Sequence, residues 1–288
     1  MRRFPTGLSL GCALAVVLAA SVSTQDLNRH PGEDWPTYGG SFSHQRFSQL
    51  RQVTTSNVSR LRVKWTFPVP EAGAIDRSLQ TTPLVVRGRD AGLAAFDAIM
   101  LVTTPVGRVL ALDAAKGRML WEFVPPLRTP LKICCSASNR GAAFGRVARW
   151  FRGFEPRVYV ATLDARLWAL SASTGKPVGS FGDGVGPAGS VTVGDNRAGF
   201  SLTMAPLFIP RTDVPRDGAT RRKDLVIVGS SGGEFESRGF VTAYDALRGR
   251  WCGVSSPSPP PTSSEARPGL PCRARSPIRS FAVGERCG

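Results

Sequence analysis

Adjacent cysteines at positions 134 and 135, in the run Ile-Cys-Cys-Ser-Ala-Ser-Asn-Arg-Gly from 133 to 141, are the residues whose type and spacing carry chemistry most directly. Neighbouring Cα atoms stand about 3.8 Å apart, below the usual disulfide span, yet two adjacent thiols can close into an eight-membered ring. Such a ring is strained and flat enough to stack on something. The residues alone leave alternatives open: either cysteine can pair with Cys252, Cys272 or Cys287, or both can stay reduced. The compartment bears on that choice. Arg2 and Arg3, the apolar stretch 8–20 and the small residues Ala19, Ala20, Ser21 and Ser23 read as a cleaved secretory signal over residues 1–25. The stretch is interrupted by Ser9, Gly11 and Cys12 and falls short of the roughly 20 apolar residues of a spanning helix, so no stable membrane span is expected. Export to the periplasm or medium is an oxidising setting where disulfides persist.

The elements that must position these cysteines announce themselves as a repeat. Val109-Leu-Ala-Leu-Asp-Ala-Ala-Lys-Gly-Arg118, Leu167-Trp-Ala-Leu-Ser-Ala-Ser-Thr-Gly-Lys176 and Val241-Thr-Ala-Tyr-Asp-Ala-Leu-Arg-Gly-Arg250 share one pattern. Each is a strand running into a tight turn whose glycine can take a positive φ. A second β-rich run precedes each copy, at 99–104, 157–162 and 225–230, and aromatic residues follow at Trp121, Phe181 and Trp251. Strand, turn, strand, turn-glycine, aromatic is the grammar of a β-propeller blade. The reading is therefore all-β: a propeller over residues 26–251 with about three of the four to eight blades that closure needs, hence incomplete. An antiparallel sandwich is the plainer alternative.

From residue 252 the grammar stops. Residues 252–288 are dominated by Pro, Ser, Arg and Gly without apolar periodicity, which predicts a disordered tail or coding sequence read past a frame break. The formal charge of +16 suggests a nucleic-acid partner, but the arginines are scattered and the signal segment argues for export, so none is expected.

The stretch from about residue 34 to 251 resembles the secreted quinoprotein alcohol dehydrogenases, eight-bladed propellers that use pyrroloquinoline quinone (PQQ). The resemblance rests on ordered motifs. Asp34-Trp-Pro-Thr-Tyr-Gly-Gly40 with Arg46-Phe-Ser48 is similar to the family's opening segment, and Val63-Lys-Trp-Thr-Phe67 to its first strand. Gln80-Thr-Thr-Pro-Leu-Val-Val86, Cys134-Cys135 with Asn139-Arg140-Gly141, Ser201-Leu-Thr-Met-Ala-Pro206 and Gly229-Ser-Ser-Gly-Gly-Glu-Phe235 follow at family-like spacing.

That resemblance implies a disulfide between Cys134 and Cys135 covering one face of the quinone, with Arg140 beside the quinone oxygens. It implies that Thr203, Ser231, Gly232 and Gly233 bond the cofactor's carboxylates and that Glu234 is a Ca²⁺ ligand, or a lanthanide ligand; on its own residues, Glu234 reads as a surface turn acid. Gln80 stands where some relatives have a glutamate that contacts the cofactor, and an amide there can hydrogen-bond but accepts a proton less readily. No catalytic base is assigned, because the family's aspartate base and a metal-binding asparagine come from later blades and nothing after Trp251 resembles either. The implied activity is oxidation of an alcohol or sugar by hydride transfer to the quinone, with a cytochrome c or quinone as electron acceptor, by a chain that is truncated and inactive alone. The rival from another class is a non-catalytic propeller acting as an outer-membrane assembly scaffold, which shares the repeat but has no use for the cysteine pair or Glu234.

Overall fold

The computed structural model describes residues 32–70, 79–149, 153–216 and 219–255. The expected signal segment 1–25 and the tail from residue 256 onward lie outside the described residues. Among the described residues twelve strands form three four-stranded antiparallel sheets, each a simple meander. The first sheet holds β1 (Leu84–Arg87), β2 (Ala98–Thr103), β3 (Val109–Asp113) and β4 (Met119–Phe123). The second holds β5 (Ala142–Arg149), β6 (Gly153–Ala161), β7 (Arg166–Ser171) and β8 (Ser190–Thr192). The third holds β9 (Leu207–Arg216), β10 (Ala219–Gly229), β11 (Val241–Asp245) and β12 (Trp251–Ser255).

The period-2 alternation of each strand decides how the sheets stack. In the middle sheet Val158, Val160, Trp168 and Leu170 pack on Leu84, Ile99, Leu101 and Val109 of the first. Their neighbours Tyr159, Ala161, Leu167 and Ala169 point the other way, onto Phe208, Val226, Val228 and Tyr244 of the third. A sheet covered on both faces needs apolar residues at consecutive positions, which is why 167–170 reads Leu-Trp-Ala-Leu without a polar break. Each aliphatic side chain buried this way contributes roughly 1.5–3 kcal/mol. The face of the first sheet turned away from the second is partly covered by Trp65, Phe67 and Val69, which pack on Val102, Leu110 and Leu112. On the third sheet Val241 remains 45% exposed. The three sheets therefore follow one another as propeller blades, and the described part of the ring is open.

Adjacent blades are clasped by one repeated device. Trp121 on β4 donates its Nε1 proton to the carbonyl of Ala172 at 2.9 Å, across the blade boundary. Its ring lies so close to Gly175 that a Cβ there would sit 2.4 Å from Cε3. Trp65 treats the first blade identically, donating to Ala114 O at 3.2 Å and lying against Gly117. Between the second and third blades Tyr159 supplies the corresponding bond, from its hydroxyl to Ala246 O at 2.6 Å, and Phe181 lies against Gly249. Burial pushes the Tyr159 hydroxyl pKa far above its ordinary value, and that of Tyr244 up to about 12. Both rings are therefore permanent neutral parts of this interface near neutral pH.

Two sequence expectations change here. Val63–Phe67 pairs with no strand among the described residues; it is held by the Trp65 and Phe67 side chains, so its alternation reflects packing on the first blade rather than a ladder. The third blade also continues past residue 251: β12 pairs with β11 from Tyr244↔Trp251 to Val241↔Ser255. An edge strand is held chiefly by backbone bonds, so its last residues need no apolar periodicity.

Candidate functional site

Connections in an antiparallel meander alternate between the two ends of a sheet. The turns at Gly117, Gly175 and Gly249 lie at one end of the blades. The β4–β5 connection (124–141), the β8–β9 connection (193–206) and the β10–β11 loop (230–240) therefore gather at the other. These three segments carry Cys134, Cys135 and Arg140, then Thr203, then Ser231, Gly232, Gly233 and Glu234. The topology thus brings together residues 100 positions apart in sequence. In the first two blades the matching β2–β3 and β6–β7 turns are tight, with Thr104 N donating to Arg108 O and Thr162 N to Arg166 O, each at 2.9 Å. Among the described blades, the third alone opens this turn into a longer loop, and that loop carries the glycines and the carboxylate.

Cys134 and Cys135 are bonded to each other, with Cα atoms 3.8 Å apart. Both are exposed, and their sulfurs and the Glu234 carboxylate all lie within 4.8 Å of one another. With the sulfurs committed to a disulfide, Glu234 is the only hard donor of this cluster. Arg140 is held from below: its backbone N–H donates to Thr203 O at 3.0 Å and its carbonyl accepts from Thr82 N at 3.1 Å. Its guanidinium Nη1 donates to Thr203 Oγ1 at 2.9 Å. The Thr203 hydroxyl accepts that bond and keeps its own proton to donate. Ser231 differs: its hydroxyl donates to Ser201 O at 2.9 Å and its N–H to the same carbonyl at 2.9 Å, so its donors are turned into the chain.

Glycine at 232 is a geometric requirement. Its φ is +130°, and a Cβ would meet Gly199 O at 2.4 Å. The next residue, Gly233, has open space where a Cβ would point, so a ligand can approach its backbone closely. Thr203, Met204, Gly229, Ser230, Ser231 and Phe240 line a cavity of about 300 Å³ beside this loop. Gln80 is exposed, one residue before Thr81, whose hydroxyl pairs with Thr103 at 2.8 Å. The acids with displaced pKa values stand elsewhere. Burial pushes Asp34 up, against the opposing charge of Arg87. Burial also pushes Asp183 up, but N–H donors from Thr192, Val185 and Gly186 together hold it below the usual carboxylate range.

Sequence reasoning gave no role to the residues that carry the disulfide segment, although Asn139 stands in the motif of the cysteine pair. Asn196 is buried; its Oδ1 accepts from Lys132 N at 2.9 Å while its Nδ2 donates to Lys132 O at 3.0 Å. Asn139 donates to Ala161 O at 2.8 Å and accepts from Gly141 N at 2.9 Å. The buried pair Asp164–Arg166 reaches the same segment, Asp164 accepting from Arg128 N at 3.1 Å and Arg166 donating to Pro126 O at 2.8 Å. Asn196, between Gly194 and Gly199, looks like a turn former, and its contact with Lys132 spans 64 positions.

A family model described as the β-propeller domain of PQQ glucose, ethanol and alcohol dehydrogenases matches residues 35–260. The dehydrogenase subunit of a quinone alcohol dehydrogenase from Komagataeibacter europaeus is 37% identical over 235 residues, covering 80% of this chain and 26% of that protein. The corresponding subunit from Gluconobacter oxydans is 32% identical over 268 residues, covering 87% of this chain and 30% of its own length. Among solved structures, a europium-containing methanol dehydrogenase superposes with a TM-score of 0.59 at 28% identity, over 82% of this chain and 34% of that one. The quinohemoprotein alcohol dehydrogenase from Comamonas testosteroni gives 0.56 at 28% identity, over 81% and 28%. The chain thus spans about a quarter to a third of the length of the curated relatives it matches. With the blade repeat, the bonded cysteine pair and a family match over most of its length, this chain belongs to the PQQ-type β-propeller dehydrogenases, the quinoprotein alcohol dehydrogenase family.

Proposed function

We propose that residues 34–255 form the cofactor-facing part of a periplasmic PQQ-dependent dehydrogenase that oxidises alcohols. The observation that carries this reading is the convergence, on one end of three blades, of the exposed disulfide, the Glu234 carboxylate within 4.8 Å of it, and Arg140 braced on Thr203. The residues suit the cofactor. A flat exposed ring offers a stacking face, a fixed guanidinium offers donors to quinone oxygens, and Gly233 leaves room for a carboxylate against its backbone. Glu234 is a hard oxygen donor of the kind Ca²⁺ or a lanthanide prefers, although such an ion takes about six to eight oxygens, so most of its shell must come from other groups. Bound PQQ with its cation would supply the electrophilic carbon that accepts hydride.

In this reading Arg140 orients the quinone and offsets the charge that develops on it. Thr203 braces Arg140 and donates its free proton, the disulfide shields one face from water, and Ser231 shapes the loop by locking onto Ser201. Gln80 would add a neutral hydrogen bond. A cytochrome c or a quinone would take the electrons, and sugars belong beside primary alcohols in a substrate panel. The family match gives the scaffold reading no support.

The cation dependence of PQQ binding tests the proposal. Ca²⁺ or La³⁺ should tighten binding by the wild-type chain, and Glu234→Gln should abolish that effect; binding indifferent to the cation in both would overturn it. Because the cluster contains one carboxylate, dye-linked alcohol oxidation by these 288 residues alone is expected to stay at background. Turnover that disappears in Glu234→Ala would contradict that expectation.

A further inference from the structure

We infer that Asn196 is a positioning residue for the disulfide face, an inference that rests on the cofactor reading just given. The exposed ring at 134–135 is not part of any sheet ladder among the described residues; it rides on a connection pinned on both sides by buried side chains. Downstream, Asn139 ties the segment to Ala161 O. Upstream, Arg128 and Pro126 are held by Asp164 and Arg166.

The pin nearest the ring is Asn196, two residues from Cys134 through Lys132. Its amide engages both the N–H and the carbonyl of Lys132, at 2.9 and 3.0 Å, as a strand partner would. The two Nδ2 protons are shared among Lys132 O and two further carbonyls, Leu163 O at 3.0 Å and Phe200 O at 2.9 Å, so its own place is fixed by the β6–β7 turn and the β8–β9 connection. Lys132, so held, lays its ammonium 4.6 Å from the centre of the Phe235 ring, next to Glu234 in sequence. One buried amide thus sets the separation between the disulfide and the loop that carries the carboxylate.

Positioning makes a prediction that bulk stability does not. If Asn196 binds the segment in the conformation that brings Cys134 and Cys135 together, the two are thermodynamically linked, and loosening one must favour opening of the other. The step is reduction by a dithiol reagent: the reagent is oxidised to its cyclic disulfide, the Cys134–Cys135 bond takes up two electrons and two protons, and two thiols result. In a defined dithiol buffer, read by alkylation and mass spectrometry of the whole chain, Asn196→Ala should shift the equilibrium toward dithiol about three- to tenfold, the scale of a lost buried amide pairing. Asn196→Asp keeps an acceptor for Lys132 N but sets a buried carboxylate oxygen against the carbonyls of Lys132, Leu163 and Phe200, and should shift it at least as far. Phe181→Leu, in the core between the second and third blades, should lower the melting temperature without moving the equilibrium.

An unchanged equilibrium in Asn196→Ala, or an equal shift in Phe181→Leu, overturns the inference. Should neither Asn196 variant fold, the wild type decides: reducing its disulfide must accelerate hydrogen exchange at the Lys132 amide, and unaltered exchange there is equally fatal. No cofactor enters these measurements, so their failure is separable from failure of the PQQ reading.

Discussion

Replacing Gly175 by alanine tests the clasp between the first and second blades with two separable costs. The residue sits at φ +70°, and an alanine in that left-handed region costs about 1–2 kcal/mol. The added methyl would also lie 2.4 Å from Cε3 and 2.8 Å from Cδ2 of Trp121, and that ring cannot yield freely: it is 9% exposed and bonded to Ala172 O. Such overpacking costs a further 1–3 kcal/mol or so, offset by about 0.4–1 kcal/mol from a stiffer unfolded chain. The expected loss is therefore about 1–5 kcal/mol, centred near 3. Gly184 takes φ +74° with nothing within 4 Å of a Cβ, so Gly184→Ala should cost only about 1 kcal/mol. Gly179 has neither constraint, and Gly179→Ala should be neutral or slightly stabilising. Guanidinium denaturation followed by tryptophan fluorescence gives the three values, and Trp121→Leu combined with Gly175→Ala should cost less than the sum of the single changes. Equal losses at 175 and 184, or strict additivity with Trp121→Leu, would refute the clasp.

Asp164→Ala should cost about 3–5 kcal/mol, because it strands the buried Arg166 guanidinium without its partner, and a melt as stable as wild type would deny that pairing its role. At high pH, Tyr244 holds its proton in the fold up to about 12 while the unfolded chain releases it near 10, so its contribution to stability is present below pH ~10 and lost as pH rises through that window. Tyr159 acts in the same sense, and absorbance at 295 nm should show both rings ionising only together with loss of near-ultraviolet dichroism. At low pH the sign reverses for Asp183, whose depressed pKa contributes stability above about pH 4 that disappears as pH falls further. Asp183→Asn should therefore flatten the acid limb of the stability curve, and an unaltered limb would show that the Thr192, Val185 and Gly186 contacts do not stabilise the charge.

The repeat was legible because it states a local rule: alternating apolar residues ending in a glycine, at 117, 175 and 249, whose observed φ values are +67°, +70° and +75°. The same segments became β3, β7 and β11 with their turns. The cysteine pair was legible through adjacency and family resemblance together. What stayed hidden depends on partners distant in sequence. Trp65 could be noticed as an aromatic in an alternating run, but its grip on Gly117 and Ala114 exists only once the first blade has formed. Val63–Phe67 has strand-like alternation without a strand partner among the described residues, since side chains alone hold it. Ser231 was read as a cofactor contact, yet the direction of its donors is set by Ser201, 30 positions earlier. Asn196 carried no signal at all, because an asparagine in a polar turn and one that pins a neighbouring connection have the same local sequence.

Equilibrium binding of PQQ in the presence of Ca²⁺, followed by quenching of tryptophan fluorescence, tests the central claim most directly. The claim is that the Cys134–Cys135 ring, Arg140 and the Gly232–Glu234 loop form the face that receives the quinone. Saturable binding of one PQQ per chain is predicted, weakened about ten- to a hundredfold in Arg140→Ala, the scale of a hydrogen bond from a charged donor. A folded chain that shows no saturable quenching, or one whose affinity is the same in wild type and Arg140→Ala, would contradict it.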